Sequence, residues 1–143
     1  MEFVVEKEVG VGYRRRNLTL NGIPCRMVST SRDTGICGDY VVKLDNHGRK
    51  HGKVGRQTER EIEFYNTLSD EEKELIPKIL AHGELDGEAW LVQERVDFRT
   101  FSDWPYPEEI IKYKENHPEL WDIGSHNFGI RPNGRPVIYD FAL

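Results

Sequence analysis

Cysteine is scarce in this chain: its 143 residues include two, Cys25 and Cys37, without CxxC spacing. No disulfide framework or thiolate metal site is expected, and both read as free, packed thiols. Long apolar runs are missing as well. None reaches the ~18 residues that suggest a bilayer-crossing helix. The acidic start Met1-Glu2-Phe3-Val4-Val5-Glu6-Lys7-Glu8 lacks a signal-peptide pattern. Positive charge is not in excess. Lys and Arg number 20 against 25 Asp and Glu, a formal net charge of −5, so the basic footprint of a nucleic-acid binder is absent. The short cluster Arg14-Arg15-Arg16 reads as a solvated face. His47, His51, His82, His117 and His126 are scattered, without H-x3-H or H-E-x-x-H spacing, which argues against zinc. What these absences leave is one cytoplasmic globular domain with a modest core, and no membrane or nucleic acid as partner.

What is present is a succession of short β-prone runs. Asn17-Leu18-Thr19-Leu20, the turn Asn21-Gly22, and a strand from Ile23 to Ser31 read as a hairpin. Gly35 and Gly38 mark the next turn, and Asp39 to Leu44 is a third strand, apolar around Lys43. A loop rich in glycine and lysine runs from Asp45 to Gly55. A helix is predicted from Arg56 to Leu68, with Ile62, Tyr65 and Leu68 on one face. Ser69 before Asp70-Glu71-Glu72 is an N-cap signal for a short second helix. Ile79–Leu85 and Glu88–Glu94 form a hairpin about Asp86-Gly87, and Pro105 and Pro107 open a helix over residues 108–116. A last hairpin joins Asn127–Arg131 to Pro136–Phe141. The class is α+β, an antiparallel sheet with helices to one side.

The chemistry sits on a few of these elements. Lys43 lies between Val42 and Leu44 on a strand, and an ammonium carried into an apolar place needs a partner. Glu61 on the following helix is the preferred one over Glu59 and Glu63, because Phe64, Tyr65 and Leu68 follow it by three, four and seven residues. In the tail, Asn127 follows Asp122 by five residues, and Asp140 follows Asn127 by thirteen, at the end of the apolar run Val137-Ile138-Tyr139. Three such oxygen-bearing side chains suit a phosphate-bound Mg²⁺ and an acceptor hydroxyl. Alone, each is an ordinary turn or surface residue. Their joint order is what points to a site.

With these residues in that order, residues 17–143 resemble the protein-kinase-like superfamily, including its bacterial and phage kinases. Val41-Val42-Lys43 is similar to the V-A-I-K strand, and Thr58 to Tyr65 to the C-helix. Trp90 to Val96 resembles the hinge, Asp122 to Asn127 the catalytic loop, and Asp140-Phe141-Ala142 the metal motif. The resemblance implies an antiparallel N-lobe with a C-helix over about 17–96, and a severely truncated C-lobe over 97–143. It implies ATP and Mg²⁺ as cofactors. Lys43 and Glu61 would clamp the phosphates, Gln93, Glu94 and Val96 would meet the nucleotide base, and Asn127 and Asp140 would bind the metal. Asp122 would serve a hydroxyl acceptor. In the degenerate glycine loop, Leu20 to Val28, Gly22 and Arg26 would meet phosphate, although Pro24 removes an N–H there. Leu120-Trp121 and Gly124 depart from the family pattern, and Ala142 replaces its last glycine. The implied function is a minimal kinase-like phosphotransferase that needs a protein partner. The alternative is a pseudokinase-type binding module that regulates or inhibits a partner.

Overall fold

Two Asx-Gly pairs set the first landmarks. Asn21 and Gly22 have φ of 52° and 79°, and Asp86 and Gly87 have φ of 53° and 80°. Two consecutive positive φ values are what a type I′ hairpin turn requires, and Asn, Asp and Gly tolerate them best. The computed structural model describes residues 2–8, 16–29, 32–47, 56–98, 115–116, 128–130 and 136–138. Among them, strands far outnumber helices and every strand pairing is antiparallel. No helix of the described residues is long and apolar enough to cross a membrane.

Six strands precede the long helix: β1 (Val5–Glu8), β2 (Asn17–Leu20), β3 (Ile23–Pro24), β4 (Arg26–Ser29), β5 (Asp33–Cys37) and β6 (Tyr40–Leu44). Helix α1 (Gln57–Thr67) and the short α2 (Asp70–Lys73) follow. Then come β7 (Ile79–Leu85), β8 (Glu88–Glu94), β9 (Asp97–Phe98), β10 (Phe128–Ile130) and β11 (Pro136–Ile138). The chain forms two compact units, one of residues 1–66 and 79–95, the other of 67–78 and 96–143.

The first unit holds two sheets, β1-β2-β3 and β4-β5-β6-β8-β7. Its core is Val5, Leu18, Leu20, Val42, Leu44 and Val92, with Phe3, Met27, Tyr40 and Trp90 packed at its margin. Alternation explains the choice on β6: Val42 and Leu44 share the face turned to this core, and Lys43 takes the other. Each such fully buried aliphatic side chain contributes roughly 1.5–3 kcal/mol by leaving water. Phe3 meets Tyr40 edge to face, ring centroids 5.1 Å apart. In the second unit, β10 pairs with both β9 and β11. There α2 carries the expected cap: Ser69 accepts from the Glu72 N–H, and Glu72 reaches back to the Ser69 N–H.

Two expectations from sequence change here. The run from Ile23 to Ser31 is not one strand. Ile23 and Pro24 stay with β2, the Cys25 N–H donates to the Leu18 carbonyl at 2.9 Å, and from Arg26 the chain pairs with β5 instead. The chain thus changes sheets at Cys25, next to the residue that lacks a ladder donor. Gly35 is not a turn residue but the middle of β5, opposite Met27 and Val42. The Cys25 side chain lies over it: a Cβ at Gly35 would stand 2.5 Å from the Cys25 Cβ. Cys25 and Cys37 are both free and half-buried, as expected. Extending the β4–β5 register by one residue places them opposite each other.

Gly35→Ala therefore forces β4 and β5 apart. We expect a loss of about 1–3 kcal/mol in urea unfolding, the range of overpacked cores. Cys25→Ala alone should not reproduce it, and Cys25→Gly should relieve it in the double variant.

Candidate functional site

Lys43 occupies the fourth position of β6, with Thr34 of β5 and Leu91 of β8 as cross-strand neighbours. It is 8 % exposed. An ammonium there needs compensation, since unpaired burial costs several kcal/mol. Glu61 supplies it from α1: Lys43 Nζ stands 3.4 Å from Glu61 Oε2. Of the three acids considered on this helix, Glu61 is buried, while Glu59 and Glu63 are exposed.

Glu61 has a second cation that the sequence did not suggest. Arg32, just before β5 and 6 % exposed, donates from Nη2 to Glu61 Oε1 and from Nη1 to Thr58 Oγ1 at 2.9 Å. The two acceptors lie one turn apart on α1, so the guanidinium fork spans a single helix face. The two oxygens of one carboxylate thus serve two cations. Burial pushes the Glu61 carboxyl up, but the charges of Arg32 and Lys43 and their hydrogen bonds more than offset it. The net result is a carboxyl held below its ordinary range. Within α1 the buried residues are the polar Thr58 and Glu61, and of the apolar stripe expected from spacing it is Leu68, just past the helix, that is buried. Ile62 and Tyr65 are half-buried and line a groove of about 390 Å³ together with Ile79 to His82.

Asp45 fixes where α1 begins. Its side chain, fully buried one residue past β6, accepts the N–H of Thr58 at 2.8 Å and of Glu59 at 3.2 Å. These are first-turn donors with no partner inside the helix, and a carboxylate also suits the positive end of the helix dipole. Burial nonetheless raises the Asp45 carboxyl, against these bonds. One strand end therefore carries both the cation Lys43 and the cap that sets the register of Glu61.

A second buried network lies at the same end of the strands. Arg16 donates to Asp33 Oδ2 at 2.8 Å, to Glu88 Oε1 at 2.5 Å and to the Asp45 carbonyl at 3.0 Å. Lys7 reaches the same Glu88 oxygen at 3.1 Å, and the His47 N–H donates to Oε2 at 2.8 Å. Asn46 donates to Asp33 at 3.2 Å. For Glu88 too, burial raises the carboxyl, and Arg16, the His47 N–H and Lys7 together bring it below the usual range. Arg16 is thus not part of a solvated face; its side chain is 11 % exposed. Its partners lie on strands 17 and 72 residues away, which no local pattern encodes.

The remaining sequence candidates divide. Gln93 is buried and Glu94 half-buried at the end of β8, opposite Val41 and Tyr40, and Val96 is buried just beyond. Gly22 lies on the β2–β3 turn, outside the sheet that carries Lys43, and nothing stands within 4 Å of where its Cβ would be. The segment from Leu20 to Val28 is therefore not the connection between the first strands of the five-stranded sheet. That connection runs from β4 to β5 and ends at Arg32. Arg26 is exposed at the start of β4. Asp122, Asn127 and Asp140 lie outside the described residues, as do Trp104, Tyr106 and Tyr113. Among the described residues no group of three His, Cys, Asp or Glu could hold a metal.

No protein-family model and no curated protein matches the chain. Solved structures do. A 2.2 Å crystal structure of WbdD matches with a TM-score of 0.52 and 23 % identity, over 82 % of this chain and 32 % of that one. The chain is similar in fold to WbdD. The complex of WbdD with the kinase inhibitor LY294002 gives a TM-score of 0.51 and 22 % identity over the same shares. A third structure, described as the bifunctional kinase-methyltransferase WbdD, gives 0.48 and 22 %, over 78 % of this chain and 29 % of that one. This chain spans about a third of the WbdD chains it matches. At such identity the likeness to WbdD concerns fold alone.

The Glu61 arrangement has a pH signature. Its folded-state carboxyl is depressed, so its stabilisation is complete above the unfolded value of about 4.3 and drains away as pH falls through the folded value. Glu88 acts with the same sign and Asp45, being raised, with the opposite one. Glu61→Gln should cost about 3–5 kcal/mol at pH 7, the range for breaking a buried ion pair. It should also flatten the acid limb of stability measured by urea midpoints between pH 7 and 3. An unchanged acid limb would remove Glu61 from this account.

Proposed function

We propose that this chain binds a nucleoside triphosphate, ATP, with Mg²⁺, and transfers its terminal phosphoryl group to a hydroxyl acceptor, as kinase-like proteins do. The observation that carries the reading is the buried Lys43–Glu61 pair, which joins the centre strand of the sheet to α1. A lysine so held presents a fixed ammonium to phosphate oxygens, and phosphoryl transfer depends on such positioning and on charge stabilisation. The strand beside it, β8, runs on to Gln93, Glu94 and Val96, which would receive the base through backbone hydrogen bonds. The fold likeness to WbdD is in keeping with this reading and does not decide it.

Asn127 and Asp140 would hold the metal, whose chemistry is to neutralise charge on the phosphates. Asp122 would orient the acceptor hydroxyl and take its proton. These three rest on sequence order, and so does the supply of the acceptor by a protein partner. A second reading is a pseudokinase-type module that engages a partner without turnover. One observation favours it: Arg32, not Lys43, is the closer partner of Glu61.

Calorimetry with ATP, with and without Mg²⁺, tests the reading. Binding should require Mg²⁺, weaken at least tenfold in Lys43→Met, and lose its metal dependence in Asp140→Asn. Absence of binding at millimolar ATP would sink the nucleotide site. Binding without ADP release in the presence of any hydroxyl acceptor would favour the non-catalytic module.

A further inference from the structure

Arg32 sits where the β4–β5 connection enters the sheet, and its side chain ties that connection to α1 through Thr58 and Glu61. Among the described residues the charged groups facing the Glu61 carboxylate are Arg32, from ahead of β5, and Lys43, from β6. Asp45, at the end of β6, lies in the field of Arg32 and is engaged with the α1 N–H groups. We propose that Arg32 is a positioning residue of the nucleotide site: it holds one oxygen of Glu61 and so fixes the other for Lys43, which in turn presents its ammonium to the phosphates. The inference rests on the nucleotide reading above and adds to it a residue outside every motif of the sequence.

The physical argument is one of burial. A carboxylate this deep is kept ionised only by the cations against it, and burial alone would favour its neutral form. Of the two cations, Arg32 makes the shorter contact and has the fork geometry that fixes direction. Without it, Glu61 has Lys43 as its one facing cation among the described residues. Its carboxyl then takes up a proton at milder acidity, and the ammonium no longer faces a charged Glu61. Affinity for a polyphosphate becomes sensitive to pH in a range where that of the native chain is not.

The test is ATP affinity, in Mg²⁺, at pH 8 and at pH 6, on the full native chain, Arg32→Met and Arg32→Lys, each taken as a ratio to native at the same pH. Arg32→Met should bind within a few-fold of native at pH 8 and fall at least tenfold behind it at pH 6. Arg32→Lys, which keeps the charge and loses the fork, should recover most of the loss at pH 6. Arg32→Gln, with a donor for Thr58 and no charge, should behave as Arg32→Met and stands in if that variant folds poorly by circular dichroism. A native chain that binds no ATP overturns both the nucleotide reading and this one. If native binds and Arg32→Met follows it at both pH values, Arg32 has no positioning role and the nucleotide reading survives. A loss of equal size at both pH values, unrescued by Lys, overturns the proposal in favour of a merely structural arginine.

Discussion

A carboxylate buried on a helix cannot be left without cations, and Glu61 is the group on which the rest of the first unit depends. It is 7 % exposed and meets Arg32 and Lys43. Removing a charge from water costs several kcal/mol, and the return comes only with close geometry. That geometry demands that α1, β5 and β6 keep fixed relations. The helix must start at the right residue, which Asp45 secures by accepting the Thr58 and Glu59 N–H groups. The strand must present Lys43 away from Val42 and Leu44, which the pleat secures. The apolar core then stabilises an arrangement whose specificity is ionic.

The Arg16 network shows the same logic at a neighbouring place. Arg16 and Lys7 gather Asp33 and Glu88 from β5 and β8, while the Asp45 carbonyl closes the set. Asp45 thus belongs to both networks, by its carbonyl to Arg16 and by its carboxylate to α1. The two networks are joined through one residue at the end of β6. A disturbance in one has a covalent route to the other, which makes this strand end a poor place for substitution although little of it is apolar.

How much of this was legible follows from range. The turns at Asn21-Gly22 and Asp86-Gly87, the cap at Ser69 and the α1 helix are encoded within a few residues, and the sequence reads them correctly. The choice of Glu61 over Glu59 and Glu63 was also available, because helical phase relative to Phe64 and Tyr65 separates the three. Its basis was incomplete: the face it shares most closely is polar, with Thr58, and of the stripe Ile62, Tyr65 and Leu68 only Leu68 is buried, the other two half-buried. The break at Cys25 was hidden, since β-prone residues continue through it and only Pro24 marks the change of sheet. Arg32 and Arg16 were hidden more deeply. Nothing within a turn of either residue distinguishes a buried ion-pair arginine from a solvated one; their partners are 17 to 72 residues away.

The fold likeness and the site argue at different strengths. Identity of 22–23 % over a third of a larger chain speaks to architecture, and one architecture serves unrelated chemistries. A functional argument must come from side chains. Here Lys43 of β6 and Glu61 of α1 meet on the face opposite the core, while Val42 and Leu44 of the same strand turn aliphatic side chains into the core. A core designed only for stability would gain from an apolar pair at these positions, because a buried ion pair seldom stabilises more than its hydrophobic replacement. The retention of three charged side chains, Arg32, Lys43 and Glu61, in one small buried volume is therefore the feature that the proposed nucleotide site uses, beyond what folding asks for. The ligand proposed for it would be anionic, because the group which such an arrangement holds in place is an ammonium.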